Sequence, residues 1–212
     1  MQQTTAEIKA YNPVIPFPAE NEDIILEEPT KKKWTKDEYY RLAELGFFDG
    51  QRVELIEGEI IEMAAMKSPH ITSVMILGEI LREVFGKDFH VRTQGALDFG
   101  KNSQPEPDVA VVKGKIRDYA DAHPKEGVLL VEVADTTIYK DRNFKSRLYA
   151  KNNIQDYWIL NLKNRSLEVY RRPIRDKKLG FVYTEIQILT EKDSVAPLAA
   201  LAAKIKVADI LP

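Results

Sequence analysis

A chain of 212 residues with 44% hydrophobic content is long enough to bury one substantial core, and nothing in it calls for a second. It contains no cysteine, which excludes disulfide frameworks, thiolate zinc sites and thiol nucleophiles and makes a reducing cytoplasm the expected compartment. The net charge of -2 is not the basic footprint of a dedicated nucleic-acid binder, so positive charge for a polyanion has to be local, at Lys31–Lys33, Arg142–Lys151 or Arg171–Lys178. Met1–Pro18 lacks a basic-then-apolar signal pattern, and apolar runs such as Val128–Val131 are too short to span a bilayer; neither export by that route nor membrane insertion is expected.

Residues 1–30 carry Pro13, Pro16, Pro18 and Pro29 with little periodicity and are expected to form an arm ahead of a domain at 31–212. Thr35 and Glu38 form a capping-box pair, Tyr39, Leu42 and Leu45 follow at helical spacing, and Gly46 supplies a stop, which predicts a short first helix. Val53, Leu55, Ile60 and Met63 flank Glu57-Gly58, a dipeptide suited to a hairpin turn. Ser68-Pro69 reads as an N-cap followed by proline, opening a helix with Ile71, Val74, Leu77, Leu81 and Val84 on one face before Gly86. From Phe89 to Phe99 apolar and polar residues alternate as in a half-buried strand.

Val109–Val112 and Val128–Val133 are short, β-branched runs bounded by Pro or Gly, which predicts strands buried on both faces. Asp141 is placed to cap a helix reaching about Asn152, with Phe144 and Leu148 turned inward. Tyr157–Leu160, Leu167–Tyr170 and Phe181–Leu189 then predict a strand meander. The order is helix, hairpin, helix, three strands, helix, strands, an α/β (α+β) chain without internal repeat.

Charges interrupt this pattern where hydrocarbon is expected. Glu132 shares a pleat face with Leu130 and Ala134, where an unpaired carboxylate would be costly to desolvate. A buried salt bridge to Arg or Lys would neutralise it; so would a metal. Asp108 opens the Val109–Val112 strand after Pro105-Glu106-Pro107, a rigid approach that fixes where its side chain points, although an Asp beside Pro also serves as a plain turn cap. If the two strands are neighbours, two carboxylates converge, and Mg²⁺, which favours one or two carboxylates plus waters and phosphate, relieves their repulsion. Lys145 is read in the first turn of the third helix, where the helix dipole disfavours a cation, so a task at a scissile phosphate suits it better than a stabilising role.

Glu54 in Val-Glu-Leu-Ile-Glu-Gly-Glu-Ile, His70 in Ser-Pro-His, Pro107-Asp108-Val109-Ala110-Val111-Val112, Leu130-Val131-Glu132-Val133-Ala134, Asp141-Arg142-Asn143-Phe144-Lys145 and Ile154-Gln155-Asp156-Tyr157-Trp158-Ile159 occur in an order that resembles the Uma-type restriction-endonuclease-like family. The resemblance runs from about Trp34 to Leu211. It implies the PD-(D/E)xK fold, a mixed central β-sheet flanked by helices, and Mg²⁺-dependent hydrolysis of nucleic-acid phosphodiesters, most simply DNA, with Mn²⁺ as a possible substitute. By position it makes Asp108 and Glu132 metal ligands and Glu54 an acid that completes the metal shell. The motif lysine expected two residues after Glu132 is Ala134, and the resemblance transfers its role to Lys145 from the following helix, with Lys140 as a nearby alternative. His70 and Gln94 are candidate substrate contacts, His70 equally a structural residue. The resemblance also implies a homodimer, for which apolar strand edges in the last third are the candidate surface. The missing motif lysine and modest basic charge leave a second reading open, a nuclease-like fold kept as a binding module without turnover.

Overall fold

In the computed structural model, which describes residues 30–212, the capping box forms as read: Glu38 N–H donates to Thr35 Oγ1 and Thr35 N–H to Glu38 Oε2, opening α1 (Lys36–Glu44). The expected arm lies outside the described residues except for Thr30. Strands β1 (Val53–Ile56) and β2 (Glu59–Glu62) make a separate two-stranded hairpin whose turn residues, Glu57 and Gly58, both have positive φ, as a two-residue turn between right-twisted strands requires. The hairpin is tied to the segment that leads into the central sheet, because Gln104 N–H donates to the Leu55 carbonyl at 2.7 Å.

Helix α2 (Ser68–Phe85) begins one residue earlier than the sequence suggests, with Lys67 at the N-cap and no side-chain cap bond. Pro69, in the first turn, has no N–H for a cap to satisfy, which removes part of the reason for one. Val74, Leu77, Leu81 and Phe85 form its buried face, whereas Ile71, expected among them, is exposed. Strand β3 (Phe89–Thr93) stops well short of Phe99 because Gln94 adopts φ +52°, which breaks the extended chain and turns its N–H onto the carbonyl of Asp108.

The central sheet has six strands in the order β3-β4-β5-β6-β7-β8, with β4 at Val109–Lys113, β5 at Leu129–Ala134, β6 at Asp156–Asn161, β7 at Ser166–Asp176 and β8 at Gly180–Thr190. Every neighbouring pair is antiparallel except β5 and β6, which run parallel and are joined across the sheet by α3 (residues 138–151). The sheet is therefore mixed, with helices on both sides. Period-two alternation divides its side chains between two cores. Val109, Val111, Val131 and Val133 pack with α2 and with Ile205, Val207 and Ile210 near the C-terminus. Ala110, Val112, Leu130 and Ala134 pack with Leu148 and Tyr149 of α3 and with Tyr157, Tyr170 and Tyr183. A short pair, β9 (Ser194–Val195) and β10 (Ile205–Lys206), completes the chain. No described helix is long and apolar enough to cross a membrane.

Candidate active site

The register of β4 against β5 sets Val109 opposite Val131, and carrying it one step further brings Asp108 opposite Glu132 on the face covered by α3. The predicted convergence of these acids on neighbouring strands is thus present. Asp108 Oδ2 accepts from the Val133 N–H at 2.8 Å and lies 3.1 Å from His70 Nε2. His70 reaches it from the first turn of α2. Burial works against a charge on His70, but the bond to Asp108 outweighs that and holds the imidazole above its ordinary pKa.

Glu132 is buried, and both of its contacts fall on one oxygen: Tyr149 Oη donates to Oε1 at 2.6 Å, and Lys145 Nζ lies 3.2 Å from the same atom. Burial, reinforced by the negative charges of Asp108, Asp141 and Glu54, pushes the Glu132 carboxyl up to about 8 against the pull of Lys145. Asp141, also buried, is raised to about 6, chiefly by burial, although Thr137 Oγ1 donates to it at 2.8 Å.

The lysines arrive from α3 by a local departure from α-helical geometry. Residues Asp141–Lys145 form a π-helical turn in which Ser146 N–H donates to the Asp141 carbonyl, five residues back. The wider turn lets Asp141 and Lys145 both enter the pocket, in keeping with the concentration of such bulges at functional sites. This corrects three expectations. Asp141 is not the N-cap, since the helix starts at Ile138; Lys145 is not in the first turn but is sealed in the middle of the helix, 2% exposed; and Phe144 points outward, 51% exposed, while Leu148 alone of that pair is buried. Lys145 keeps its proton firmly, because Glu132 and Glu54 outweigh the cost of its burial.

Glu54, wholly buried on β1, accepts from Lys140 Nζ at 2.5 Å through Oε1, and from Lys145 Nζ at 2.6 Å and the Glu106 N–H at 3.1 Å through Oε2. Burial would raise its pKa, but the two lysines hold it below the ordinary carboxylate value. Gln94 sits one position beyond Asp108 in the same cross-strand row, with its side-chain amide bonded to Met66 Sδ. Sequence reasoning missed Tyr149, Glu106 and Thr137 and misplaced Asp141. The spacing of Asp141, Lys145 and Tyr149 at four-residue steps could have shown that one side of the helix is devoted to the site.

Glu54, His70, Asp108, Glu132, Lys140, Asp141 and Lys145 line a cavity of about 70 Å³ whose other wall is Met63–Lys67. Five acids, Glu54, Asp108, Glu132, Asp135 and Asp141, line it beside Arg52, Lys67, Lys140 and Lys145, so acidic oxygens and ammonium groups share one pocket. Among the described residues no set of three or more His, Asp or Glu side chains is arranged to hold a metal by itself. The donor set suits an ion that keeps much of its water and takes one or two carboxylates, which is the habit of Mg²⁺.

A mixed sheet with one parallel pair, a crossover helix and two acids meeting at a strand end defines an α+β fold of the nuclease-like class. The crystal structure of a "putative nuclease belonging to DUF820" from Anabaena variabilis superposes with a TM-score of 0.62 at 18% identity, covering 83% of this chain and 96% of that one. The profile of the Uma2 family, described as "Putative restriction endonuclease", matches residues 36–208, and the chain belongs to that family. No curated protein matches it.

Proposed function

We propose that the protein is a Mg²⁺-dependent endonuclease that hydrolyses phosphodiester bonds of DNA, with Mn²⁺ as a working substitute. The observation that carries this reading is the pairing of Asp108 with Glu132 across β4 and β5, with the Lys145 ammonium 3.2 Å from Glu132 in the same pocket. Family membership and the likeness to a nuclease fold support it.

Asp108 and Glu132 are the residues assigned to hold the ion. The contacts on Asp108 fall on Oδ2 and those on Glu132 on Oε1, so each carboxyl group keeps a second oxygen with which it would hold the ion. A divalent ion bound there supplies Lewis acidity at the phosphoryl oxygen and a water of lowered pKa. The Val133 N–H and His70 fix the Asp108 carboxylate, and Tyr149 fixes Glu132, so neither has to reorganise when phosphate arrives. Lys145 offers a permanently charged donor to the negative charge that develops on the phosphoryl oxygens. Ala134, where the motif lysine would stand, is buried, and this reading gives that lysine's role to Lys145 from α3.

Supercoiled plasmid incubated with the purified protein and Mg²⁺ or Mn²⁺ is expected to be nicked, and EDTA is expected to stop it. Metal binding without any cutting of single- or double-stranded DNA or RNA would leave an inert binding module. We also assign the homodimer contact to β8, the edge strand that exposes Ile186 and Ile188; light scattering of wild type and Ile188→Glu tests it, the variant being expected to run as a monomer.

A further inference from the structure

We infer that Glu54 is a positioning residue that carries a two-lysine phosphate cradle and is not a ligand of the metal. The inference rests on the nuclease reading above but changes the role expected of this acid. A carboxylate has about four lone-pair sites, and three donors already occupy those of Glu54: Lys140, Lys145 and the Glu106 N–H. Turning it toward an ion shared with Asp108 and Glu132 would leave the buried Lys145 ammonium with only the Glu132 oxygen that Tyr149 already uses, and would leave the Glu106 N–H without that acceptor. Removing one partner of a buried ion pair in this way is among the costlier changes a protein interior can undergo.

The framework agrees with the contacts. Asp108 and Glu132 sit on adjacent strands of the central sheet, whereas Glu54 belongs to the separate β1–β2 hairpin, which the Leu55–Gln104 bridge and the Glu106 N–H hold against the loop before β4. Lys145 lies closer to Glu54, 2.6 Å, than to Glu132, 3.2 Å, so Glu54 is its main anchor and draws it aside from Glu132. Lys140, on the other oxygen, is 23% exposed and also lines the cavity. Glu54 thus gathers two ammonium groups on one carboxylate, and Lys140, the more exposed of the two, has donors to spare beyond its bond to Glu54. That is a site for the scissile or a neighbouring phosphate, and it makes Lys140 the substrate contact.

The test compares Glu54→Gln with Asp108→Asn, using Mn²⁺ binding followed by electron paramagnetic resonance and steady-state cleavage of a labelled oligonucleotide duplex. Glu54→Gln is expected to keep its Mn²⁺ affinity within about threefold of wild type while kcat falls about 100-fold, the size associated with losing one positioned charge donor. Lys140→Ala is expected to raise KM more than it lowers kcat. Equal losses of Mn²⁺ affinity in Glu54→Gln and Asp108→Asn would overturn the inference. Unchanged affinity in Asp108→Asn would instead overturn the metal reading, and the two failures are thereby distinguishable. Should Glu54→Gln not fold, wild-type protein suffices: acetylation of Lys140 by acetic anhydride, followed by mass spectrometry, is expected not to rise on Mn²⁺ saturation. A severalfold rise would show Glu54 leaving its lysines for the ion and would refute the assignment.

Discussion

The two faces of the central sheet are made by the same strands yet differ in kind. Odd-numbered residues of β4 and β5, Val109, Val111, Val131 and Val133, meet only hydrocarbon from α2 and the C-terminal segment. Even-numbered residues alternate with them toward α3, and there Asp108 and Glu132 interrupt Ala110, Val112, Leu130 and Ala134. On β4 and β5 one face is dry and apolar, the buried Asp156–Arg171 pair of that side lying on β6 and β7, so it can hold these strands in register; the other can then tolerate buried charges that by themselves oppose folding. Stability and chemistry are separated by a period of two residues.

The largest effect expected from breaking this division is on the charged face. Asp108→Ala or Glu132→Ala should lower plasmid nicking by about 10²–10³-fold or more, comparable to the loss of a preorganised electrostatic group. Circular dichroism should still show folded protein, because Lys145 keeps its bond to Glu54 when Glu132 is removed and the apolar packing is untouched. The dry face predicts the reverse. Leu81→Ala, at a site with no exposed surface, should cost about 2–5 kcal/mol and lower Tm in thermal unfolding. Its nicking rate, measured below the transition, should equal that of wild type.

A smaller effect concerns the ion. Mg²⁺ at about 100 times its dissociation constant should stabilise the folded chain by about 2.7 kcal/mol, and Tm should rise accordingly in wild type but not in Asp108→Ala. The smallest is a pH effect. In the folded chain Glu132 titrates at about 8 against an ordinary 4.5, and Asp141 at about 6 against 3.8. The folded state therefore holds protons that the unfolded chain has already released, and the stability these two groups lend is lost as pH rises through their folded values. In EDTA, Tm should fall between pH 5 and 8, by about 2–4 °C for each kcal/mol, and Glu132→Gln should flatten the upper part of the fall. Divalent metal should oppose the trend, because its ligands must be deprotonated to bind.

Much of this division was legible in the chain. Period-two alternation marked Glu132 as a charge on a buried face, the prolines before it marked Asp108 as the start of its strand, and strand-length apolar runs located the sheet around them; that the two strands are neighbours came only from the fold. Long-range partners were not legible: Lys145 and Glu54 are 91 residues apart, and no local pattern joins them. Nor was the π turn, since a bond to the fifth residue back carries no composition signal, and an Asp near a helix start resembles a cap. The same blindness to backbone detail extended β3 past Gln94, whose positive φ only the folded chain reveals.

The convergence of Asp108 and Glu132 on one divalent ion is tested most directly by titrating Mn²⁺ calorimetrically into wild type, Asp108→Asn and Glu132→Gln. Saturable binding in wild type that either substitution abolishes is the expected result. Heats indistinguishable among the three proteins, or none in wild type, would contradict it.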